Sequence, residues 1–270
     1  MDKRIFGMIR KIGELLSRNL ILKRKLPKQF GSLPIFVSPD AGLRYWKLNM
    51  SHRHNHEIYK VVKDLINEGN VIWDIGGSVG IFAFPAIYKA GKNGYCLIVE
   101  ADTFMQSVLK KSIDSNLDYK IKLLPVAISE NVGFAEFNIA EASRSMNFLS
   151  FSSGSSQSGG IRTSITVPTF NLDFLLTIFP HPNFVKIDVE GAEISVLQGA
   201  TKMMEEIRPL IFIEVFQHIA LDIQAILKKF NYEFVDARTY QGITHTTEDY
   251  ICIPKEKYQE IIRNLNVSNV

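Results

Sequence analysis

From about residue 55 onward, short apolar segments alternate with longer segments whose apolar residues recur at helical spacing. The short segments predict β-strands at 71–75, 95–99, 121–127, 184–189, 210–215, 232–236 and 250–253. The longer segments predict α-helices at about 55–68, just after Gly80, and at about 102–116, 191–206 and 218–230. Several strands are apolar at consecutive positions, which is typical of parallel strands covered on both faces. The alternation therefore predicts an α/β fold: a doubly wound, mostly parallel, seven-stranded sheet with helices on both faces.

Two regions depart from this alternation. In the middle of the chain, segments 133–139 and 164–170 predict extra strands and hence a small β insertion. The Ser/Gly-rich stretch between them is too polar to pack into a core, and it predicts a mobile surface loop at about 150–164. Upstream of the sheet, 34–37 and 44–48 predict two short strands joined by a turn.

The N-terminal segment is amphipathic and strongly basic. Apolar residues at roughly helical spacing over 3–22 predict a helix, and residues 1–28 contain nine Lys/Arg and two acidic residues. This segment carries a charge of about +7, so the formal net charge of +3 leaves about −4 for the remainder, which argues against nucleic-acid binding. The helix either packs on the body or on a partner subunit, or it lies on an anionic membrane surface. The chain thus divides into a basic helix (1–30), a cap or lid segment (31–68) and the α/β domain (69–270).

Composition and cysteine content indicate a cytoplasmic protein. No apolar run reaches the roughly 20 residues of a transmembrane helix, and the first ten residues mix charged with apolar side chains, unlike a secretory signal peptide. Cys96 and Cys252 lie in predicted strands without histidines at metal-binding spacing, so we expect reduced thiols in the core. If the basic helix binds lipid, the protein contacts the inner face of the membrane peripherally. None of these patterns predicts an oligomeric state.

The first predicted strand runs into a glycine-rich loop, Asp74-Ile-Gly-Gly-Ser-Val-Gly80. In a doubly wound sheet, ligands bind at the carboxyl ends of the strands, where such a loop presents backbone N–H groups at a helix N-terminus. The candidate cofactor-binding residues of this loop are Asp74, Gly76, Gly77, Ser78 and Gly80. Their spacing is not the G-x-G-x-x-G of dinucleotide-binding loops, which argues against the alternative of a nicotinamide-dependent oxidoreductase.

Two carboxylates near this loop favour S-adenosylmethionine as the ligand. Asp74 precedes the glycines, where it suits a cofactor with a sulfonium and an ammonium group but repels a pyrophosphate. Glu100 ends the next strand and can accept hydrogen bonds from both ribose hydroxyls of an adenosine. The alternative is that Asp74 caps a helix and that Glu100 is an ordinary charge at a strand end.

A second set of ionisable residues lies at the end of the strand predicted at 184–189. Lys186, Asp188 and Glu190 alternate with apolar residues, so we expect all three on one face of the strand. Ionisable groups in an apolar sheet are unfavourable unless they are paired or functional, and Glu214, near the end of the following strand, can join them. These four residues are the candidate catalytic residues, and a buried salt-bridge network without function is the alternative.

Other polar and aromatic residues are weaker candidates. His52 and His56 share a face if their segment is helical and could then bind a metal, although a solvated or substrate-facing helix start explains them better. Phe148, Phe151 and Arg162 flank the Ser/Gly-rich loop, from which they could close on an acceptor.

Several of these motifs occur together in the order of a known family. They are the segments 71–80 (VIWDIGGSVG), 126–129 (VAIS), 171–176 (NLDFLL), 186–193 (KIDVEGAE) and 197–200 (LQGA), followed by Arg208-Pro209 and Glu214. The series resembles the FkbM-like methyltransferases over about residues 35–235, and the segment 38–43 looks like the start of that family's domain. The family often has Gly-Ala-Asn where this chain has Gly76-Gly77-Ser78, a change between small residues.

The resemblance implies a Rossmann-like class I methyltransferase fold and S-adenosylmethionine as the cofactor. It also implies methyl transfer to a hydroxyl oxygen, typically of a sugar or a polyketide. We therefore expect O-methylation of a small-molecule or glycan acceptor, such as a sugar of a glycan or glycolipid, or of another secondary metabolite. Ala101, Val126 and Ala127, at the ends of neighbouring predicted strands, complete the candidate cofactor-binding residues.

In such a reaction Asp188 is the first candidate for the general base, and Lys186 orients the acceptor oxygen or tunes the carboxylates. A divalent metal held by Asp188, Glu190 and Glu214 is conceivable but not expected. The remaining alternative is a non-catalytic scaffold or binding protein on the same fold. The complete Lys186–Glu193 string argues against it, because a scaffold does not need these ionisable residues.

Overall fold

The computed structural model of the protein describes residues 12–13, 15–48, 50, 55–152 and 158–267. Within these residues no helix is both long and apolar enough to cross a membrane. Cys96 and Cys252 are buried free thiols, as predicted.

The described residues form thirteen strands in three sheets. In chain order they are β1 (Leu22–Lys25), β2 (Pro34–Val37), β3 (Val71–Ile75), β4 (Tyr95–Val99), β5 (Lys120–Leu124), β6 (Ala127–Ile128), β7 (Gly133–Ala140), β8 (Phe148–Leu149), β9 (Ile161–Phe170), β10 (Phe184–Ile187), β11 (Leu210–Glu214), β12 (Tyr232–Asp236) and β13 (Asp249–Pro254). The main sheet has the order β12-β13-β11-β10-β3-β4-β5, and every neighbouring pair is parallel except those that include β13. The predicted fold class, a mostly parallel seven-stranded sheet, is confirmed.

Helices cover both faces of the main sheet. They are α1 (His56–Leu65), α2 (Ala83–Ala90), α3 (Thr103–Asp114), α4 (Leu172–Leu175), α5 (Glu193–Gln198), α6 (Ala220–Lys229) and α7 (Lys255–Val267). Successive strand residues point to opposite faces, so Ile72 packs in the core beneath α1, α2, α3 and α7, whereas Trp73 packs in the core beneath α4, α5 and α6. Each central strand is therefore apolar on both faces, which explains the continuous apolar segments of the sequence.

The order of connections reverses between β3 and β10. From β3 the chain proceeds to β4 and β5 on one side, whereas β10 is followed by β11 on the other. Such a switch point leaves a crevice at the carboxyl ends of the two strands, which is where open α/β sheets bind ligands. Lys186 and Asp74 lie side by side in the register of β10 and β3, directly below this crevice.

The β insertion is a four-stranded sheet of order β6-β9-β7-β8. The prediction of one strand at 121–127 is wrong, because β5 ends at Leu124 and β6 pairs with β9 in the insertion instead. Pro125 separates the two strands, since a proline has no N–H to continue the ladder of β5.

The loop predicted at about 150–164 is shorter than expected. Strand β9 begins at Ile161 and pairs with β7 from its first residue, where Ile161 lies opposite Ala140. Residues 153–157 lie outside the described residues, so the predicted mobility of this loop remains a prediction.

The N-terminal region differs from the sequence-based expectation. Of the helix predicted over 3–22, residues 3–11 and 14 lie outside the described residues, and residues 12–13 and 15–17 are helical. The prediction is wrong at its C-terminal end, because Leu22 begins β1 rather than ending a helix. The turn that follows at Lys28–Phe30 returns the chain, so that β1 pairs antiparallel with β2.

The prediction of a strand at 44–48 is also wrong, since residues Leu43–Trp46 form a 3-10 turn. The guanidinium of Arg24 donates hydrogen bonds to the carbonyl oxygens of Tyr45 and Trp46 at 3.0 Å and of Lys47 at 2.9 Å. These carbonyls are therefore satisfied by a side chain, and no neighbouring strand is needed to pair them.

Candidate active site

A cavity of about 320 Å³ opens at the carboxyl ends of β3, β4, β10 and β11. Eleven predicted site residues line it: Gly76, Gly77, Ser78, Glu100, Ala101, Val126, Ala127, Lys186, Asp188, Glu190 and Glu214. Asp74 and Gly80 do not line it, because Asp74 is fully buried beneath the glycine loop and Gly80 faces the ring of Phe84. The structure thus brings the two predicted sets of residues into one cavity.

The glycine loop turns sharply between β3 and α2. Gly76 has a φ of +80°, and a Cβ at this position would lie 1.9 Å from the carbonyl oxygen of Asp188, so only glycine fits. The N–H groups of Gly76 and Gly77 both donate to the carbonyl of Val99 at 3.0 Å. Ser78 also has a left-handed φ of +48°, which is uncommon for a residue with a side chain. The loop is therefore held between β4 and the loop that follows β10.

The carboxylate of Glu100 is fixed at the edge of this loop. Its Oε2 accepts the N–H of Ser78 at 2.7 Å, and its Oε1 accepts the N–H of Asp102 at 2.8 Å. Burial and the nearby charge of Asp102 raise the pKa of Glu100 to about 7, although the two N–H donors oppose that shift. Each oxygen keeps a further lone pair that can accept a hydrogen bond from a ligand in the cavity.

Lys186 links the glycine loop to both aspartates. Its Nζ donates to the carbonyl of Gly76 at 2.9 Å and lies 3.0 Å from Asp188 Oδ2 and 3.5 Å from Asp74 Oδ1. Burial disfavours the charge of Lys186, but the carboxylates of Asp188 and Asp74 raise its pKa above the ordinary value. The ammonium group is therefore positive and fixed.

The ion pair with Lys186 does not satisfy the hydrogen-bonding capacity of the Asp74 carboxylate. Both of its carboxylate oxygens are buried and have no hydrogen-bond partner among the described residues. Burial raises the pKa of Asp74 to about 6, although the charge of Lys186 opposes that shift. Asp74 thus acts on the cavity from below, through Lys186 and the loop.

Asp188 and Glu214 form a hydrogen-bonded pair of carboxyl groups. Partial burial disfavours the ionised form of Asp188, but Lys186 and the hydrogen bond from Glu214 hold its pKa below the usual value. The negative charge of Asp188, together with burial, raises the pKa of Glu214, so that Glu214 keeps its proton and donates it to the shared bond. Burial and Asp188 likewise raise the pKa of Glu190. At neutral pH the negative charge of these three groups is therefore concentrated on Asp188.

Asp188 and Glu190 lie in the loop beyond β10, because that strand ends at Ile187. The prediction that they share a strand face with Lys186 is therefore wrong. Glu190 has a left-handed φ of +55°. The buried Glu193 stabilises this turn, since its Oε1 accepts the N–H groups of Gly191 at 3.1 Å and Val189 at 3.3 Å.

Other lining residues were not among the predicted site residues. Arg44 and Tyr45 reach the cavity from the 3-10 turn of the cap segment, and Ile58 reaches it from α1. Residues 144–147 of the β insertion line the cavity near Glu100 and Ala101. For Arg44, Tyr45 and Ile58 the sequence signal was the expectation that segment 31–68 is a cap or lid, and residues 144–147 had no such signal.

A buried ion-pair network holds the cap, the insertion and the main sheet together. Asp40 accepts hydrogen bonds from Arg144 Nε at 2.8 Å and from Arg162 Nη2 at 2.9 Å. The same Arg144 donates from Nη1 to Asp102 Oδ1 and Oδ2 at 2.9 and 2.7 Å, while Asp102 Oδ1 caps α3. Burial opposes the charge of Asp40, but the two guanidinium groups hold its pKa below the usual value. Arg162 thus lies in this network and does not line the cavity.

The remaining candidates lie away from the cavity. His52 is outside the described residues, and His56 is the first residue of α1. Phe148 lies in β8 and Phe151 is exposed, and neither lines the cavity. In the described part of the chain, no group of three or more His, Cys, Asp or Glu residues is arranged to hold a metal ion.

The sheet order, the glycine loop and the carboxylates in one cavity agree with the family that the motifs had indicated. The family model described as "Methyltransferase FkbM domain" matches residues 74–234. The chain belongs to the FkbM methyltransferase family. The matched region of this FkbM methyltransferase includes the glycine loop, Glu100 and the four candidate catalytic residues.

Individual relatives are more distant. This FkbM methyltransferase is 25% identical to the hexuronic acid methyltransferase AglP of Haloferax volcanii over 180 residues. The alignment covers 65% of this chain and 67% of that protein. Among solved structures, it is similar to methyltransferase FkbM from Methylobacillus flagellatus (18% identity, TM-score 0.49), covering 92% of this chain and 60% of that one. It is also similar to precorrin-6y C5,15-methyltransferase from Geobacter metallireducens (12% identity, TM-score 0.43), covering 76% of this chain and 90% of that one.

Proposed function

We propose that this FkbM methyltransferase binds S-adenosylmethionine in the cavity and transfers its methyl group to a hydroxyl oxygen of a sugar acceptor. One observation carries the proposal: the fixed carboxylate of Glu100 and the charged Asp188 line the same cavity, from the ends of β4 and β10. The first suits a nucleoside, and the second suits a hydroxyl that must lose a proton.

The residues around Glu100 fit the cofactor. At Gly76 and Gly77, an added Cβ would lie 1.9 Å from the carbonyl oxygen of Asp188 and 2.2 Å from Ile98, so this edge of the cavity carries no side chain that would fill it. Glu100 has lone pairs available for the two ribose hydroxyls. The small apolar residues Ala101, Val126 and Ala127 line the same end of the cavity and suit a flat base.

At the other end, Asp188 is placed to handle the proton of the acceptor. Bound S-adenosylmethionine supplies a methyl group on a positively charged sulfur. Asp188 accepts a hydrogen bond from the acceptor hydroxyl and takes its proton as the oxygen gains the methyl group. A carboxylate of lowered pKa suffices for this, because an oxygen that is being methylated becomes strongly acidic. Lys186 and Glu214 hold Asp188 in place. Alignment of the acceptor oxygen with the methyl group in the cavity can itself lower the barrier by about 7–11 kcal/mol.

The name of a relative supports a sugar as the acceptor. The Haloferax volcanii protein is a hexuronic acid methyltransferase, and it matches 65% of this chain. The acceptor end of the cavity is lined by ionisable groups, namely Arg44, Lys186, Asp188, Glu190 and Glu214, which suits a ligand rich in hydroxyl groups.

The proposal can be tested by calorimetric titration with S-adenosylmethionine and S-adenosylhomocysteine. We expect binding in the micromolar range, and we expect Glu100→Ala to weaken it by about tenfold or more, since two charge-assisted hydrogen bonds are lost. The exposed Glu233 offers a matched control, and Glu233→Ala should bind like the wild type. A well-folded protein that binds neither ligand would exclude the proposed cofactor. Methyl transfer to a panel of glycosides then tests the acceptor.

A further inference from the structure

Arg44 is a cation in the wall of the acceptor end of the cavity. It lies in the 3-10 turn Leu43–Trp46 of the cap segment and lines the cavity together with Asp188 and Glu214. Burial opposes its charge, but Tyr45 and then Asp188 and Glu214 raise the pKa of Arg44 above its ordinary value. Its position at the methyl-accepting end makes it a candidate for contact with the acceptor.

The guanidinium is held in place without using all of its donors. Nη2 donates to Tyr45 Oη at 3.2 Å, and the guanidinium carbon lies 4.9 Å from the centroid of the same ring. The Nε is buried and has no hydrogen-bond partner among the described residues. A buried donor of this kind is unfavourable unless a ligand pairs with it.

The two cations at this end of the cavity differ in their partners. Lys186 is ion-paired with Asp188 at 3.0 Å and with Asp74 at 3.5 Å, whereas Arg44 forms no ion pair with a described residue. Glu214 keeps its proton at neutral pH because Asp188 and burial raise its pKa, and burial raises the pKa of Glu190 to about 8. Among the described lining residues at this end, Arg44 is therefore the cation that has no carboxylate within ion-pair distance.

We propose that Arg44 binds a carboxylate of the acceptor, so that the enzyme selects a sugar acid over the neutral sugar with the same ring. The inference rests on the proposed function and specifies its acceptor. A planar guanidinium with a free Nε and a neighbouring Nη matches a carboxylate in a bidentate arrangement. Holding this group at Arg44 leaves a ring hydroxyl of the same sugar to contact Asp188, which lines the same cavity.

The test uses methyl uronosides and the matching methyl glycosides, which differ only in a carboxylate in place of a hydroxymethyl group. Their binding is measured by calorimetry on protein saturated with S-adenosylhomocysteine, for the gluco, galacto and manno pairs. We expect at least one uronoside to bind about ten- to a hundredfold more tightly than its glycoside, as suits one charge-assisted bidentate contact. Arg44→Met should remove that preference, Arg44→Lys should restore part of it, and affinity for S-adenosylhomocysteine should stay the same in both variants.

The control is Arg238→Met, which removes an exposed arginine and should leave the preference intact. The inference is overturned if the wild type does not prefer any uronoside, if neither sugar of any pair binds, or if the preference survives Arg44→Met. Absence of S-adenosylhomocysteine binding in the folded wild type is a different result, because it overturns the proposed function itself.

Discussion

Asp188 and Glu214 share a hydrogen bond across the carboxyl ends of the adjacent parallel strands β10 and β11. Two ionised carboxylates within hydrogen-bonding reach would repel each other. The pair therefore retains one proton, which stays on Glu214. The pair therefore has a defined polarity, in which Glu214 donates and Asp188 accepts. Lys186 reinforces it by placing its ammonium 3.0 Å from Asp188.

Replacement of Asp188 by asparagine should abolish most of the methyl transfer. The amide cannot take a proton from the acceptor, and a general base typically contributes about 10²- to 10⁴-fold to the rate. Affinity for S-adenosylhomocysteine should change by no more than a few-fold, because the cofactor end of the cavity does not depend on Asp188 for its charge. Single-turnover rates and calorimetry measure the two effects separately, and full activity of Asp188→Asn would remove this residue from the mechanism.

Glu214→Gln should be much milder than Asp188→Asn. The glutamine amide keeps a donor toward Asp188, whereas Glu214→Ala removes it and leaves Asp188 with Lys186 alone. We expect kcat to fall by less than about tenfold in Glu214→Gln and by more in Glu214→Ala, in line with loss of one hydrogen bond to a charged group. Equal losses of kcat in the two variants would show that the hydrogen bond that Glu214 donates to Asp188 does not contribute to the rate.

Cofactor affinity should rise with pH. Burial raises the pKa of Glu100 to about 7, so at pH 5 the unliganded protein carries a neutral Glu100 that must lose its proton before both oxygens can accept the ribose hydroxyls. Between pH 5 and pH 8 we expect affinity for S-adenosylhomocysteine to increase by about ten- to a hundredfold. The same titration on Glu100→Gln should be flat over this range, and a wild-type profile without any rise would argue against a role for the ionised form.

Loss of Lys186 should destabilise the fold. In Lys186→Met the buried Asp74 has no compensating charge, and breaking a buried ion pair on one side typically costs about 3–5 kcal/mol in the free energy of unfolding. Adding Asp74→Asn should recover part of this loss, because the uncompensated charge is then gone.

The pH dependence of that variant follows from the raised pKa of Asp74. A carboxyl whose pKa is higher in the folded than in the unfolded state stabilises the fold at low pH and loses that contribution as the pH rises through the folded value. Lys186→Met should therefore be closer to the wild type at pH 5 than at pH 8 in urea unfolding. If Lys186→Met loses the same free energy of unfolding at both pH values, the loss comes from packing rather than from charge.

The central strands of the main sheet were predictable because most of their residues are apolar and buried on both faces. Strands β3, β4 and β12 have the bounds that the apolar segments indicated. The boundary of β5 was missed although Pro125 marks it. Helix α7 was also missed, although Tyr258, Ile261 and Ile262 recur at helical spacing and pack on the core.

The glycine loop and Glu100 at the cofactor end of the site were predictable from the sequence, whereas Arg44 at the acceptor end was not. The glycine loop and Glu100 lie at strand ends whose positions follow from the sheet order alone. Arg44 reaches the cavity because Arg24, 20 residues earlier, satisfies the carbonyls of its turn. Such a long-range contact leaves no periodic signal in the sequence, so the same residues were predicted as a strand.

The network around Asp40 joins the cap to the region that the family model matches. Asp40 and Arg44 precede the region that the family model matches, residues 74–234, yet Asp40 holds Arg144, whose segment lines the cofactor end of the cavity. A chain trimmed to the matched region would leave Arg144 and Arg162 without their shared carboxylate. With the role that we propose for Arg44, a change of acceptor can arise in the cap while Glu100 and the glycine loop stay as they are.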